Sequence, residues 1–243
     1  MSLVAKIALA PLLVAQALHV RRSIPRLPEA QGPRSGVAGT GRALRLLVIG
    51  DSSAAGVGVS TQQLALAAPL AGHLAELTGA AVHWQLLARS GLTTAQALEW
   101  LRAEPALAAD VAVIVTGVND VVDQVPSGRA VGAREALANW LRNGAGVHHV
   151  VFAPLPPVGR FPGLPQPLRW IAGADARRHD RALARWAGSR GDVSMAGLGH
   201  ELERSAMARD GFHPGAPAYL RIATDLAEHI AAKVWPRLPG ETT

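Results

Sequence analysis

The chain has 243 residues, 49% of them hydrophobic, which suits one sizeable domain with a buried core and a short extension. Cysteine is absent, excluding disulfides and thiolate metal sites. The net charge is +6, from 24 Lys and Arg against 18 Asp and Glu, but the arginines are scattered and only three Phe, six Trp and one Tyr are present, so the basic balance reads as a solvated surface and no nucleic-acid partner is expected.

Residues 3–20 are apolar apart from Lys6, Gln16 and His19, and a Pro- and Gly-rich stretch over 24–41 follows. Three readings stay open. A leader peptide would use Ala15-Gln16-Ala17 as its cleavage site, behind a thin basic start, and would export the chain. A spanning helix wants about 20 apolar residues, whereas this stretch holds Lys6 and Pro11. A retained helix would pack on the domain or touch a membrane surface through residues 1–22, and is the preferred reading; it favours a cytoplasmic or membrane-associated chain. The division is then residues 1–41 as segment and linker, 42–236 as the domain, and 237–243 as a tail.

From residue 43 onward strand and helix signals alternate. ALRLLVIG (43–50) is a continuous apolar run, as a buried parallel strand reads. Residues 61–78 have helical spacing, with Gly79 placed to cap them. A strand at 82–88 precedes a helix capped by Thr93 or Thr94 and running to about Arg102. VAVIVTG (111–117) is the clearest strand, rich in β-branched residues. A helix at 129–143, a strand at 148–155, a Pro-rich loop at 154–169, a helix at about 172–188, a weak strand near Asp192-Val193 and a helix at 216–234 complete the order. Such alternation predicts an α/β domain whose parallel sheet is covered on both faces. Ligands bind such sheets at the carboxyl ends of the strands.

Polar clusters fall at those ends: Gly50-Asp51-Ser52-Ser53, Ala88-Arg89-Ser90-Gly91, Gly117-Val118-Asn119-Asp120, and, near the end of the chain, Asp210-Gly211-Phe212-His213-Pro214. GDSSAAGVG (50–58), the glycine of ARSGLTT (88–94), GVND (117–120) and DGFHPG (210–215) resemble the four blocks of the SGNH, or GDSL, hydrolase family, in order and at compatible spacing over about residues 43–235. The family's four named residues match Ser52, Gly91, Asn119 and His213. The resemblance implies a flavodoxin-like three-layer α/β/α sandwich with a central parallel sheet and an ester-hydrolysing activity. Ser53 stands where many members have leucine, a departure that leaves the chemistry untouched.

The residues support the same chemistry without the family. A serine hydroxyl needs a base to take its proton, and His213 is the candidate. Asp210, three residues earlier, can reach the far ring nitrogen and hold one tautomer. The Ser52 and Gly91 N–H groups and the Asn119 side-chain amide are candidate donors to a developing oxyanion. The expected catalytic residues are therefore Ser52, Asp210 and His213, with Ser52, Gly91 and Asn119 as oxyanion hole. A phosphate loop lacks its Lys-Ser/Thr pair, and the glycine after a nucleophile elbow is replaced by Ala54. Asp120 reads as structural. Ser53 and Ser90 read as turn-stabilising hydroxyls, with a substrate contact as the sharper alternative. His73, His83, His148, His149, His179 and His200 read as surface or packing residues, and no metal site or cofactor is expected. The substrate is a small-molecule ester, probed first with short to medium acyl chains. Lysophospholipase, thioesterase and carbohydrate deacetylase activities, and a silent binding module, are the alternatives. Pocket walls are expected in loop 154–169 and after Asp120. The oligomeric state is not legible.

Overall fold

The computed structural model describes residues 8–23, 25–104, 108–197 and 204–239. Expectations for residues 3–7, for His200 and for residues 240–243 lie outside them. Helix α1 spans Ala10–Ser23, and the sheet begins with β1 (Ser35–Ala38) and β2 (Ala43–Gly50). Helix α2 (Ala67–Thr78) and β3 (Ala81–Ala88) follow, then α3 (Thr94–Leu101) and β4 (Val111–Val115). Next come the short α4 (Val118–Val122), α5 (Ser127–Ala145) and β5 (His149–Phe152). Helix α6 (Leu168–Gly188), β6 (Val193–Met195) and α7 (Ala216–Lys233) complete the fold.

The strand order is β1-β3-β2-β4-β5-β6, and every pairing from β3 to β6 is parallel. Alternate side chains along each strand serve opposite layers, as the two-residue period of a strand requires. Leu44, Leu46 and Val48 of β2 pack with Leu70 and Leu74 of α2 and Leu226 and Ile230 of α7. Leu47 and Ile49 face the other way, into Leu98 and Leu101 of α3, Leu137 and Leu141 of α5, and Leu183 of α6. The sandwich is three-layered. Both faces of the sheet are covered, which explains why its central strands read as continuous apolar runs. Each fully buried Leu, Ile or Val contributes on the order of 1.5–3 kcal/mol.

Local signals explain several boundaries. Gly79, at φ 66°, ends α2, its N–H donating to the Ala75 carbonyl. Thr93 and Gln96 cap each other at the start of α3.

The parallel reading fails at one edge, inside the segment read as linker. β1 pairs antiparallel with β3, from Ser35 opposite Gln85 to Ala38 opposite Val82. Ser-Gly-Val-Ala has no alternation to announce a strand; the free edge of β3 supplies the partner instead. The residues before β1 are also tied down. Ala30 N–H donates to the Ala55 carbonyl, and the buried Gln62 amide donates to the carbonyls of Ala30 and Ala55. The last helix, the helix at 127–145 and the strand at 149–152 each fall within a few residues of their expected bounds.

Helix α1 lies against α6 on one side, while Leu12, Val14 and Leu18 on its other side are about half exposed. Among the described residues no helix is long and apolar enough to cross a membrane.

Candidate active site

In the parallel part of the sheet the chain reverses its direction of winding at β2, which lies between β3 and β4. Ligand crevices of doubly wound sheets open at such a point. Ser52 sits two residues past the end of β2, in a turn closed by Ala55 N–H to the Asp51 carbonyl and Val57 N–H to the Ser52 carbonyl. Gly50 lets this turn begin. A Cβ there would collide with the Val115 carbonyl oxygen and the Ala54 methyl.

The histidine arrives from the far end of the chain. Asp210 is buried, and its Oδ1 accepts from the N–H groups of Phe212 and His213 at 2.9 and 3.0 Å. Its Oδ2 lies 2.6 Å from His213 Nδ1. His213 Nε2 lies 3.0 Å from Ser52 Oγ. This pattern assigns the Nδ1–H tautomer, leaving Nε2 to accept the Ser52 hydroxyl proton. Burial alone would raise the Asp210 pKa, but the hydrogen bonds from His213 and from the His213 and Phe212 amides outweigh it and hold the carboxyl below its ordinary range. The loop is braced from outside: Phe161 meets Phe212 edge to face at 5.1 Å, and Gly163 N–H donates to the Gly211 carbonyl. The Tyr219 hydroxyl of α7 ties to the Val57 carbonyl on the serine turn.

Asn119 stands in α4, just past β4, with its Nδ2 donating to the Leu92 carbonyl at 3.0 Å and to Asp51 Oδ2 at 3.3 Å. Asp51 is itself buried, and burial pushes its pKa up to about 6 even though the Ser53 N–H donates to its Oδ1. The short α4 is anchored by Asp120, whose carboxylate accepts from the Thr94 N–H and hydroxyl. Arg134 of α5 lies 3.7 Å from that carboxylate, both side chains only 2% exposed. Asp120 therefore positions its neighbour from beneath the site.

Gly91 follows β3 on an exposed turn. A side chain there would meet nothing within 4 Å, so room is not the reason for glycine; the backbone φ of 87° is. The Ser90 hydroxyl and N–H both donate to Glu29, at 2.7 and 2.8 Å, which favours the turn-stabilising reading of Ser90. Glu29 also pairs with Arg34 at 2.5 Å. Burial opposes ionisation of Glu29, but the bonds from Ser90 and Arg34 prevail and lower its pKa. Sequence reading missed Glu29, Gln62 and Asp51 as supports. Nothing in the local pattern of Glu29 or Gln62 distinguishes them from other polar residues, whereas Asp51 stands inside the GDSS block.

Ser52, His213, Asn119 and Gly91 all line one cavity of about 670 Å³. Ser90, Gln96, Asp123, Gln124 and Arg26 are polar parts of its lining, and Val118, Leu164, Leu168, Ala172 and Phe212 are apolar parts. Loop 154–169 and the residues after Asp120 do contribute walls; α1 contributes one that the sequence did not announce.

Residues 48–221 match the GDSL-like lipase/acylhydrolase family. The chain is 30% identical over 236 residues to a GDSL-like esterase of Mycobacterium tuberculosis, spanning 88% of this chain and 74% of that protein. Its fold is similar to a lipase from a goat rumen metagenome, with a TM-score of 0.63 and 19% identity, over 78% of this chain and 98% of that one. An acetylxylan esterase from Geobacillus stearothermophilus superposes with a TM-score of 0.57 and 17% identity, over 79% of this chain and 95% of that one. The family match spans Ser52, Gly91, Asn119 and His213, and the chain belongs to the GDSL-like lipase/acylhydrolase family as a serine hydrolase of carboxylic esters.

Proposed function

We propose that the chain hydrolyses small carboxylic esters of short to medium acyl length through an acyl-serine intermediate, with Ser52, His213 and Asp210 as its triad. The observation that carries this reading is the unbroken relay from Asp210 Oδ2 through His213 to Ser52 Oγ, with steps of 2.6 and 3.0 Å, at the wall of an apolar cavity.

Ser52 Oγ attacks the ester carbonyl carbon as its proton passes to His213 Nε2. Asp210 steadies the imidazolium and keeps the ring oriented. The tetrahedral oxyanion would be met by the N–H groups of Ser52 and Gly91 and by the Asn119 amide. Its Nδ2 must turn one proton from its present acceptors toward the new charge. Asp51 Oδ2, the longer of the two contacts, is the one readily released. Collapse expels the alcohol, which takes the proton from Nε2. A water molecule, deprotonated by His213, then hydrolyses the acyl-serine and regenerates the enzyme.

The test is covalent labelling. A serine-directed phosphonate should modify the full-length protein once, at Ser52, as read by peptide mass mapping. Ser52→Ala should lose hydrolysis of p-nitrophenyl acetate while keeping its circular dichroism spectrum. Labelling at Ser53 or Ser90 in place of Ser52 would overturn the assignment.

A further inference from the structure

Helix α1 does more than cover the domain. Its half-buried positions Leu13, Gln16, Ala17 and Val20 recur at helical spacing and form its inner side. Ala17 and Val20 line the same cavity as Ser52 and His213. Val20 also packs against the cluster that contains Phe161 and Leu164.

Gln16 fastens this wall. Its Oε1 accepts from the Leu168 N–H at 3.1 Å, and its Nε2 donates to the Gln166 carbonyl at 2.6 Å. Leu168 is the first residue of α6, and the cap position before it is Pro167, which provides no side-chain acceptor. The first N–H groups of a helix have no partner within it. Gln16, 152 residues away in sequence, satisfies one of them. Because both ends of the amide are engaged, α1 is fixed in register along α6 as well as in contact with it. An amphipathic helix resting loosely on an apolar surface would need no such two-point contact.

The residues that α1 itself gives to the cavity, Ala17 and Val20, are both apolar. We propose, building on the ester-hydrolase reading above, that α1 is the specificity element of this enzyme: the acyl chain of the ester runs outward from Ser52 against Ala17 and Val20, and the position of α1 sets the preference for medium over short chains. Each methylene buried there favours binding about fourfold.

The experiment compares p-nitrophenyl octanoate with p-nitrophenyl acetate on the full-length chain. Val20→Trp fills the outer groove and should lower the octanoate-to-acetate ratio of kcat/KM roughly tenfold, the equivalent of about two lost methylene contacts. Gln16→Ala releases the clamp and should lower the same ratio by a smaller factor, mainly through the octanoate KM. Gln16 lies on a surface helix, so its truncation tests the proposal even if Val20→Trp disturbs folding. An equal fall for both esters, or an unchanged ratio in Gln16→Ala and in a folded Val20→Trp, would overturn the role of α1 and leave the triad reading intact. Failure of the wild type to cleave either ester would overturn the reading beneath it, and this proposal with it.

Discussion

At the scale of single residues, two carboxylates flank the proposed chemistry in opposite electrostatic states. Asp210 is held below the ordinary carboxylate range by the imidazole and two backbone N–H groups, so it stays ionised through neutral and mildly acidic pH. Asp210→Asn keeps the shape but loses the acceptor that selects the Nδ1–H tautomer. It should lower kcat by several orders of magnitude with the fold retained, measured on p-nitrophenyl acetate. Near-normal activity would mean that another group orients His213. Asp51 is the reverse case: burial raises its pKa to about 6, so near neutral pH the fold carries an ionised carboxylate that it would rather protonate. A group raised in this way adds least to stability above pH 6, and stability returns as pH falls toward 4. The difference of about 2 units corresponds to roughly 3 kcal/mol. Asp51→Asn should therefore gain thermal stability relative to wild type as pH rises from 4 to 7. A variant-minus-wild-type difference in melting temperature that stays flat over that range would remove Asp51 as the cause.

At the scale of elements, the segment before the first parallel strand works as a brace. Glu29 accepts twice from Ser90, and Arg34, the residue before β1, donates both to Glu29 and to the Ala88 carbonyl at the end of β3. Gly91 is the next residue, so the orientation of its N–H depends on a bond made 61 residues earlier in the chain. Hydrogen bonds to a charged acceptor contribute about 1.5–3 kcal/mol. Glu29→Ala should lower kcat more than it changes KM, because a mobile Gly91 would be lost to the transition state and not to the bound ester. Steady-state kinetics with p-nitrophenyl acetate reads this directly; a change in KM alone would exclude the brace. The arrangement also separates the roles of the elements. The segments after β2, β3 and β4 carry Ser52, Gly91 and Asn119, the loop before α7 carries Asp210 and His213, and loop 154–167 and α1 line the cavity beside them.

At the scale of the whole molecule, acid sensitivity has an identifiable source away from the active site. Ser194 of β6 lies between His149 at 2.9 Å and His229 of α7 at 2.8 Å. Burial, helped by Lys233 and His149, pushes the His229 pKa down to about 4, and burial lowers that of His149 as well. A histidine depressed by folding is held neutral in the native state while the unfolded chain takes up its proton near 6.5, so its stabilisation is full above about 6.5 and is lost as pH falls toward 4. The melting temperature of wild type should drop over that window by more than that of His229→Gln, and parallel curves would remove His229 as the cause. Asp51 and Asp180, both raised to about 6 by burial, act with the opposite sign, which is why the variant-minus-wild-type difference is the quantity to measure. What the sequence by itself determined is the part governed by period and short range. The alternation of apolar runs with helical spacing specified the layers, Thr93 and Gly79 marked helix ends, and the three-residue spacing of Asp210 and His213 put carboxylate and ring within one turn of chain. Only the tertiary structure decided what depends on pairing distant residues: β1 on the edge of β3, Glu29 beneath Ser90, Asp51 beside Asn119, Arg134 beside Asp120, and Gln16 at the start of α6. The physical reason is that a polar side chain in a loop satisfies its hydrogen bonds with whatever the fold brings near, and a short edge strand borrows its partner from an existing sheet, so neither leaves a periodic trace in the residues around it.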